Sequence, residues 1–204
     1  ATINRIACVD ANGALVPTSV FNPGTGFNSA VTTLVVHEGK LLVGGSFTTY
    51  KGVAANGLVR LDATGALEST ATFDTGTGFD GAVNALVVQP DGRIVVGGAF
   101  FNYKGVAAPR LVRLEPNGAR EATSSFDVGT GFNSIVNIVA LEAGGTLIVG
   151  GSFNTYKGGS NVGGLVRLTA SGAFDAAFAP AVSGSVLSAY SHPDGTVFAC
   201  GSFF

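Results

Sequence analysis

Three short loops each combine a tyrosine with a lysine, two side chains that are suited to ligand recognition. The pairs are Tyr50-Lys51, Tyr103-Lys104 and Tyr156-Lys157. An exposed aromatic ring can stack on a sugar, and a lysine ammonium attracts carboxylate or phosphate groups. The same loops could instead be structural, with each tyrosine wedged against the next repeat and each lysine solvated. Ligand binding by these loops requires partly exposed phenols.

Motifs for a cofactor or a metal are weak. Residues 76–81 read Gly-Thr-Gly-Phe-Asp-Gly, but the dinucleotide fingerprint needs a helix after the glycines, and here a strand follows. His37 and His192 occupy equivalent turns of different repeats, where side chains diverge instead of converging on one ion. We expect no cofactor and no metal site.

Catalytic chemistry is the weaker function class. The sequence contains no nucleophile elbow and no Cys-x-x-Cys. A polysaccharide-active enzyme would need two close carboxylates. Only one of the candidate positions Asn28, Asp80 and Asn133 is an acid. We therefore expect no catalytic residues and no enzyme activity.

Three arginines, Arg60, Arg113 and Arg167, lie in the middle of otherwise apolar strands. An unpaired guanidinium there would be costly. We expect structural ion pairs or carbonyl hydrogen bonds, and Asp74 and Asp127 are the expected partners.

These side chains sit within a repeat. Two apolar runs around a polar turn begin at Val31, Val83, Val136 and Val186, at spacings of 52, 53 and 50 residues. The runs are rich in β-branched residues and too short for helices, so each copy predicts a β-hairpin. Repeats of this length are typical of arrays and propellers.

A second pair of strands follows each hairpin. Short strands are predicted at residues 57–62, 110–115 and 164–169, and each is followed by a turn and a fourth strand. Four strands in roughly fifty residues is the content of one propeller blade.

Both chain ends read as half-blades of a single domain, residues 1–204. Half-blades are predicted at residues 1–27 and 184–204, and whole repeats start near residues 28, 80 and 133. Pairing Val197–Phe203 with Ile3–Asp10 would close an all-β, four-bladed β-propeller of four-stranded antiparallel blades. A segment of a larger propeller, or two chains forming an eight-bladed ring, are the alternatives.

The motifs DGRIVVGGAF, YKGVA, LVRLD and FDTGTGF resemble the delta-sixty repeat family of bacterial β-propellers over essentially the whole chain. The resemblance implies a large surface or secreted protein, and hence an extracellular location. It implies a non-catalytic binding or adhesion module that recognises glycan or protein on the face carrying the Tyr-Lys loops. A structural building block of a homo-oligomer or filament is the alternative.

The composition argues against nucleic-acid and membrane partners. Charged residues are 12% of the chain, 46% is hydrophobic and the formal net charge is −2. No strong field therefore favours nucleic acid or an anionic membrane surface. No run of 18 apolar residues occurs, so no membrane span is expected. A glycan or protein ligand and a homo-oligomer remain compatible with the sequence.

The two cysteines predict a disulfide. Cys200 stands where the other repeats have Gly44, Gly97 and Gly150, and Cys8 stands at the arginine position of the third strands. A register with Gly44 opposite Arg60 would place Cys200 opposite Cys8, within bridging distance. Two buried free thiols are the alternative.

Overall fold

The computed structural model describes residues 5–159 and 162–204 as an all-β chain. The strands are β1 (Val31–His37), β2 (Lys40–Gly45), β3 (Thr49–Tyr50), β4 (Val53–Ala54), β5 (Leu58–Leu61), β6 (Val83–Val88), β7 (Ile94–Gly98), β8 (Asn102–Tyr103), β9 (Val106–Ala107), β10 (Leu111–Leu114), β11 (Val136–Leu141), β12 (Leu147–Gly151), β13 (Leu165–Leu168), β14 (Gly184–Ser191) and β15 (Val197–Phe203). One 3-10 turn, Ala143–Gly145, joins β11 to β12. Within the described residues, no helix reaches the length and apolarity needed to cross a membrane.

Each complete repeat forms a three-stranded antiparallel sheet. The orders are β1-β2-β5, β6-β7-β10 and β11-β12-β13, while β14 and β15 form a two-stranded sheet. The hairpins and third strands lie where the sequence predicts them. The fourth strand of each blade is shorter than predicted, because it is reduced to one isolated bridge, as between Leu61 and Leu67.

The fourth strand ends early because the chain turns. Next to the Leu61–Leu67 bridge, the Glu68 amide still donates to the Arg60 carbonyl, as in a paired strand. The amides of Thr72 and Phe73 then both donate to the Ser69 carbonyl, which closes a tight turn. Phe73 and its counterpart Phe126 are thereby buried.

Successive sheets stack face to face, and we call each interface a seam. A glycine in the second strand of each blade lets the first strand of the next blade approach closely. A β-carbon on Gly44 would lie 2.6 Å from Val83 Cγ1, and one on Gly97 would lie 2.6 Å from Val136 Cγ1. At Gly150 the distance to Val186 Cγ1 would be 2.7 Å. The three seams therefore share one packing geometry.

A polar side chain in the first strand also crosses each seam. The Thr32 hydroxyl donates to the Val83 carbonyl. The amides of Asn84 and Asn137 donate to the carbonyls of Val136 and Val186, at 3.1 and 2.9 Å. These bonds fix neighbouring blades to one another beside the apolar contacts.

The predicted closure of the ring is not confirmed. Strand β15 pairs with β14 alone among the described residues. At the other end, Val9 bridges Leu15, and Ile6 and Cys8 pack into the core of the first blade. Residues 1–4 of the predicted partner strand lie outside the described residues.

The predicted disulfide is also absent, because Cys8 and Cys200 are both free. The assumed register is wrong: Gly44 pairs with Leu58, and Arg60 pairs with Leu42. Transferred to the two half-blades, this register makes Cys8 and Cys200 diagonal neighbours. Diagonal positions across antiparallel strands are separated by roughly 7–8 Å, which is too far for a bridge.

Candidate functional site

Tyr50-Lys51 and Tyr103-Lys104 each enter a two-residue β-hairpin, β3-β4 and β8-β9. Tyr156 of the third loop bridges Phe132, and the described residues show no paired hairpin there. Lys51 and Gly52 have φ of 49° and 79°, and the other two Lys-Gly pairs repeat this. Two consecutive residues at positive φ produce the turn that suits the twist of paired strands. The positive φ that follows each lysine therefore explains why lysine is followed by glycine in all three loops.

The expectation of exposed phenols is wrong. Tyr50 and Tyr103 have no exposed surface, and Tyr156 is buried as well. The Tyr50 ring packs 4.5 Å from the Phe27 ring, centroid to centroid, and its hydroxyl donates to the Gly65 carbonyl at 2.6 Å. Burial raises the pKa of Tyr50 to about 12. These rings have no free face for a sugar, and they hold their loops to the blade.

Two of the three lysines are engaged in ion pairs. Lys104 Nζ lies 3.0 Å from Asp74 Oδ2, and Lys157 Nζ lies 3.0 Å from Asp127 Oδ2. The hydrogen bond from Lys104 lowers the pKa of Asp74. Lys51 has Asn22 at the corresponding place in the sequence, and its ammonium lies 5.3 Å from the centre of the Tyr50 ring. A ligand-binding role for the three lysines stays a prediction.

One polar residue opens each of the three repeats, and its side chain binds the backbone of a loop about 20 residues later. Asn28 Oδ1 accepts hydrogen bonds from the amides of Thr48 and Thr49. Asp80 makes the same pair of contacts with Phe101 and Asn102, and these bonds lower the pKa of Asp80 despite partial burial. Asn133 repeats the arrangement in the third repeat. These residues bind backbone amides and form no pair of close carboxylates.

The strand arginines form ion pairs as expected, but with other partners. Arg60 pairs with Glu68 through two nitrogens, and its guanidinium covers the Phe73 ring. The predicted partner Asp74 is wrong, because it pairs with Lys104 instead.

The other two blades vary the same arrangement. Arg113 pairs with Glu121, whereas Arg167 Nε lies 2.7 Å from Glu142 Oε2. The predicted partner Asp127 is likewise wrong, because it pairs with Lys157. Glutamate in the fourth strand reaches the guanidinium, whereas Asp175, at that place in the third blade, is one methylene shorter.

The remaining motifs fit a structural role. Gly76 and Gly78 have φ of 50° and 70°, so this glycine motif supplies the positive φ of a turn. His192 Nδ1 lies 3.0 Å from Asp194 Oδ1 in its own turn. No group of three or more metal-ligating side chains occurs in the described residues.

The two ends of the blade series expose apolar side chains that are buried elsewhere in the repeat. Phe198 is 61% exposed, whereas the residues at the same place in the other second strands, Leu42, Val95 and Ile148, are 2% exposed or less. Leu187 and Tyr190 are exposed beside Phe198. We call these three residues the C-terminal surface.

The first strand shows the complementary pattern. Leu34 is 51% exposed, whereas its counterpart Leu86 is 7% exposed because it packs on the preceding blade. Val36, two residues later on the same face, is exposed too. We call Leu34 and Val36 the N-terminal surface. The sequence signal for both surfaces was the pair of half-repeats at the chain ends.

Comparisons with known proteins agree with this architecture. The chain matches the family model described as "Domain of unknown function (DUF5122) beta-propeller" at residues 39–70, 89–123 and 145–178. No curated protein matches the chain.

Two similar solved structures come from different sources. One is the extracellular domain of a protein described as the hybrid two component system BT4673 from B. thetaiotaomicron, with 15% identity and a TM-score of 0.50 over 93% of this chain and 22% of that one. The other is the computationally designed Ika8 protein, with 17% identity and a TM-score of 0.47 over 84% of this chain and 46% of that one. This chain thus spans less than half the length of either. The three family matches and the stacked three-stranded sheets support a β-propeller repeat protein.

Proposed function

We propose that this protein is a non-catalytic extracellular binding module that associates with protein through the two ends of its blade series. The observation that carries the proposal is the exposure of Phe198 and Leu34, at positions that every complete seam buries. Side chains of this kind on adjacent strands are typical of interaction surfaces. One edge of β15 pairs with no described strand, so its backbone groups can pair with another strand.

The chemistry of the repeated residues supports a non-catalytic role. The tyrosines, the opening Asn or Asp residues and the strand arginines all bond within the propeller. The similarity to an extracellular domain supports the proposed location. The buried tyrosine rings leave no surface on which a glycan could stack.

The test is association in solution. Sedimentation of the 204-residue chain over a wide concentration range is expected to show a species heavier than 20.4 kDa. Phe198→Glu and Leu34→Glu should each weaken association, because a charge cannot be buried in an apolar seam. Val106→Glu is the matched control, since Val106 is exposed on a hairpin away from both ends. A chain that stays monomeric at every concentration, or a control variant that weakens association equally, contradicts the proposal.

A second candidate function is favoured by Lys51 alone. Among the described residues, its ammonium forms no ion pair like that of Lys104 with Asp74, although the pKa of the Asp62 carboxyl is lowered by a hydrogen bond from Thr64 and, less strongly, by the Lys51 charge. An anionic ligand on the loop face would therefore contact Lys51 first. Binding to an array of acidic glycans should fall for Lys51→Ala and persist for Lys104→Ala, and equal binding by both variants refutes this candidate.

A further inference from the structure

The two ends of the chain carry complementary halves of one blade. Strands β14 and β15 supply the first two strands, and the outer edge of β15 pairs with no described strand. Residues 6–16 supply the outer part, since Val9 bridges Leu15 as Leu61 bridges Leu67 in the first complete blade. The two ends together contain the inner and the outer strands of one blade.

We propose that the C-terminal hairpin of one chain docks on the N-terminal end of a second copy, so that two chains close a ring through two composite blades. This inference rests on the proposed function, because it identifies the protein partner as a second copy. Two identical head-to-tail interfaces leave no free end, and two copies are the smallest assembly that closes in this way.

The register of the complete blades fixes the docked arrangement. Leu42 pairs with Arg60 and Val43 with Val59. The corresponding pairs between two chains are Phe198 with Cys8, and Ala199 with Ala7. The C-terminal surface would then cover Leu34 and Val36 of the second copy, as Leu42 and Gly44 cover Leu86 within one chain.

The composite blade would bury no unpaired charge. The first two complete blades pair an arginine with a glutamate eight residues later, Arg60 with Glu68 and Arg113 with Glu121. The N-terminal half-blade has Cys8 and Val16 at these two places, and the Val16 amide donates to the Cys8 carbonyl at 2.9 Å. Both residues pack against the core of the first blade. An apolar Phe198 beside them needs no ionic partner.

A second copy is favoured over closure within one chain. The three internal seams are close-packed, with 2.6–2.7 Å between a β-carbon on each glycine and the facing valine methyl. Among the described residues of one chain, β15 pairs with β14 alone and residues 6–16 pack on the first blade, so the two half-blades stay unpaired while all three seams are closed. Docking a second copy leaves every internal seam unchanged.

Engineered cross-links test the register and the partner together. One variant combines Phe198→Cys with Cys200→Ser and retains Cys8, and a second combines Ala7→Cys and Ala199→Cys with Cys8→Ser and Cys200→Ser. Directly opposed positions lie within disulfide range. Mild oxidation should give a covalent species of two chains on a non-reducing gel. The control combines Thr196→Cys with Cys200→Ser, which places the new thiol diagonal to Cys8 and should cross-link at least tenfold more slowly.

The outcomes separate this inference from the proposed function. A disulfide within one chain overturns the second copy and indicates closure in a single chain. Association without cross-links, or cross-linking at the control's rate, overturns the composite blade and leaves association through the ends standing. Absence of any association overturns both. A native mass of two chains, together with an interchain bond in both variants, supports the composite blade.

Discussion

Replacing Gly97 by alanine tests whether the seams hold the propeller together. A β-carbon at this position would lie 2.6 Å from Val136 Cγ1 and 3.0 Å from Val139 Cγ2. Carbon atoms in good contact are about 3.5–4.0 Å apart, so the seam must widen by roughly 1 Å. Overpacking of this size costs about 1–3 kcal/mol, a large part of a typical total of about 5–15 kcal/mol.

A second substitution identifies the cause of the loss. Val136→Ala removes the methyl group that the new β-carbon would meet, and two lost methyl groups cost about 1.6 kcal/mol by themselves. In the double variant the clash is relieved. Its loss should therefore be smaller than the sum of the single losses by about 0.5–3 kcal/mol.

Urea unfolding of the four proteins measures these free energies. Cys200→Ala is the control, because Cys200 holds the same strand position and is exposed, so its β-carbon meets no packed seam among the described residues. At a concentration where the chain is monomeric, its effect should stay within about 0.5 kcal/mol. A Gly97→Ala protein as stable as the wild type, or strictly additive losses in the double variant, would refute this account of the seams.

Three further predictions concern single contacts. Tyr103→Phe should lower the free energy of unfolding by about 1–2 kcal/mol, because the Gly118 carbonyl loses its buried donor; an unchanged urea midpoint would contradict this. Arg60 holds the Glu68 pKa near 2, down from 4.5. The ion pair therefore stabilises the fold above the unfolded pKa, and this contribution is lost as pH falls through about 2. Glu68→Gln should reduce the fall in the free energy of unfolding between about pH 5 and pH 2, measured by urea unfolding at several pH values. An equal fall in the variant and the wild type would contradict this prediction. Cys200→Gly should tighten self-association in sedimentation experiments, because glycine restores the close approach found at Gly44; weaker association would contradict it.

The hairpins were predictable because their pattern is local. Apolar runs of six residues around a Pro-Asp-Gly turn have few other ways to fold. The buried role of the tyrosines was open to the same reasoning, since a residue present in every copy meets the same packing problem each time. The acid partners of Arg60 and Arg113 also had a signal, because a glutamate follows each of them after eight residues.

Closure of the ring was not predictable from the repeat. The number of half-blades says how much of a blade each end supplies, but the angle between blades depends on how side chains interlock at each seam. That angle follows from contacts such as Val83 on Gly44 and Thr32 on the Val83 carbonyl. Spacing and periodicity do not encode these contacts.

The repeat departs from its own pattern at the place where a fourth seam would form. Leu187 stands where Thr32, Asn84 and Asn137 each donate a hydrogen bond to the next blade. Cys200 replaces the glycine that lets the next valine approach. A seam built on the C-terminal surface therefore lacks both the cross-seam donor and the close approach, while it keeps the apolar contact of Phe198. Such a seam is weaker than the three internal ones, so association through the ends should be reversible while the blades of each chain stay packed.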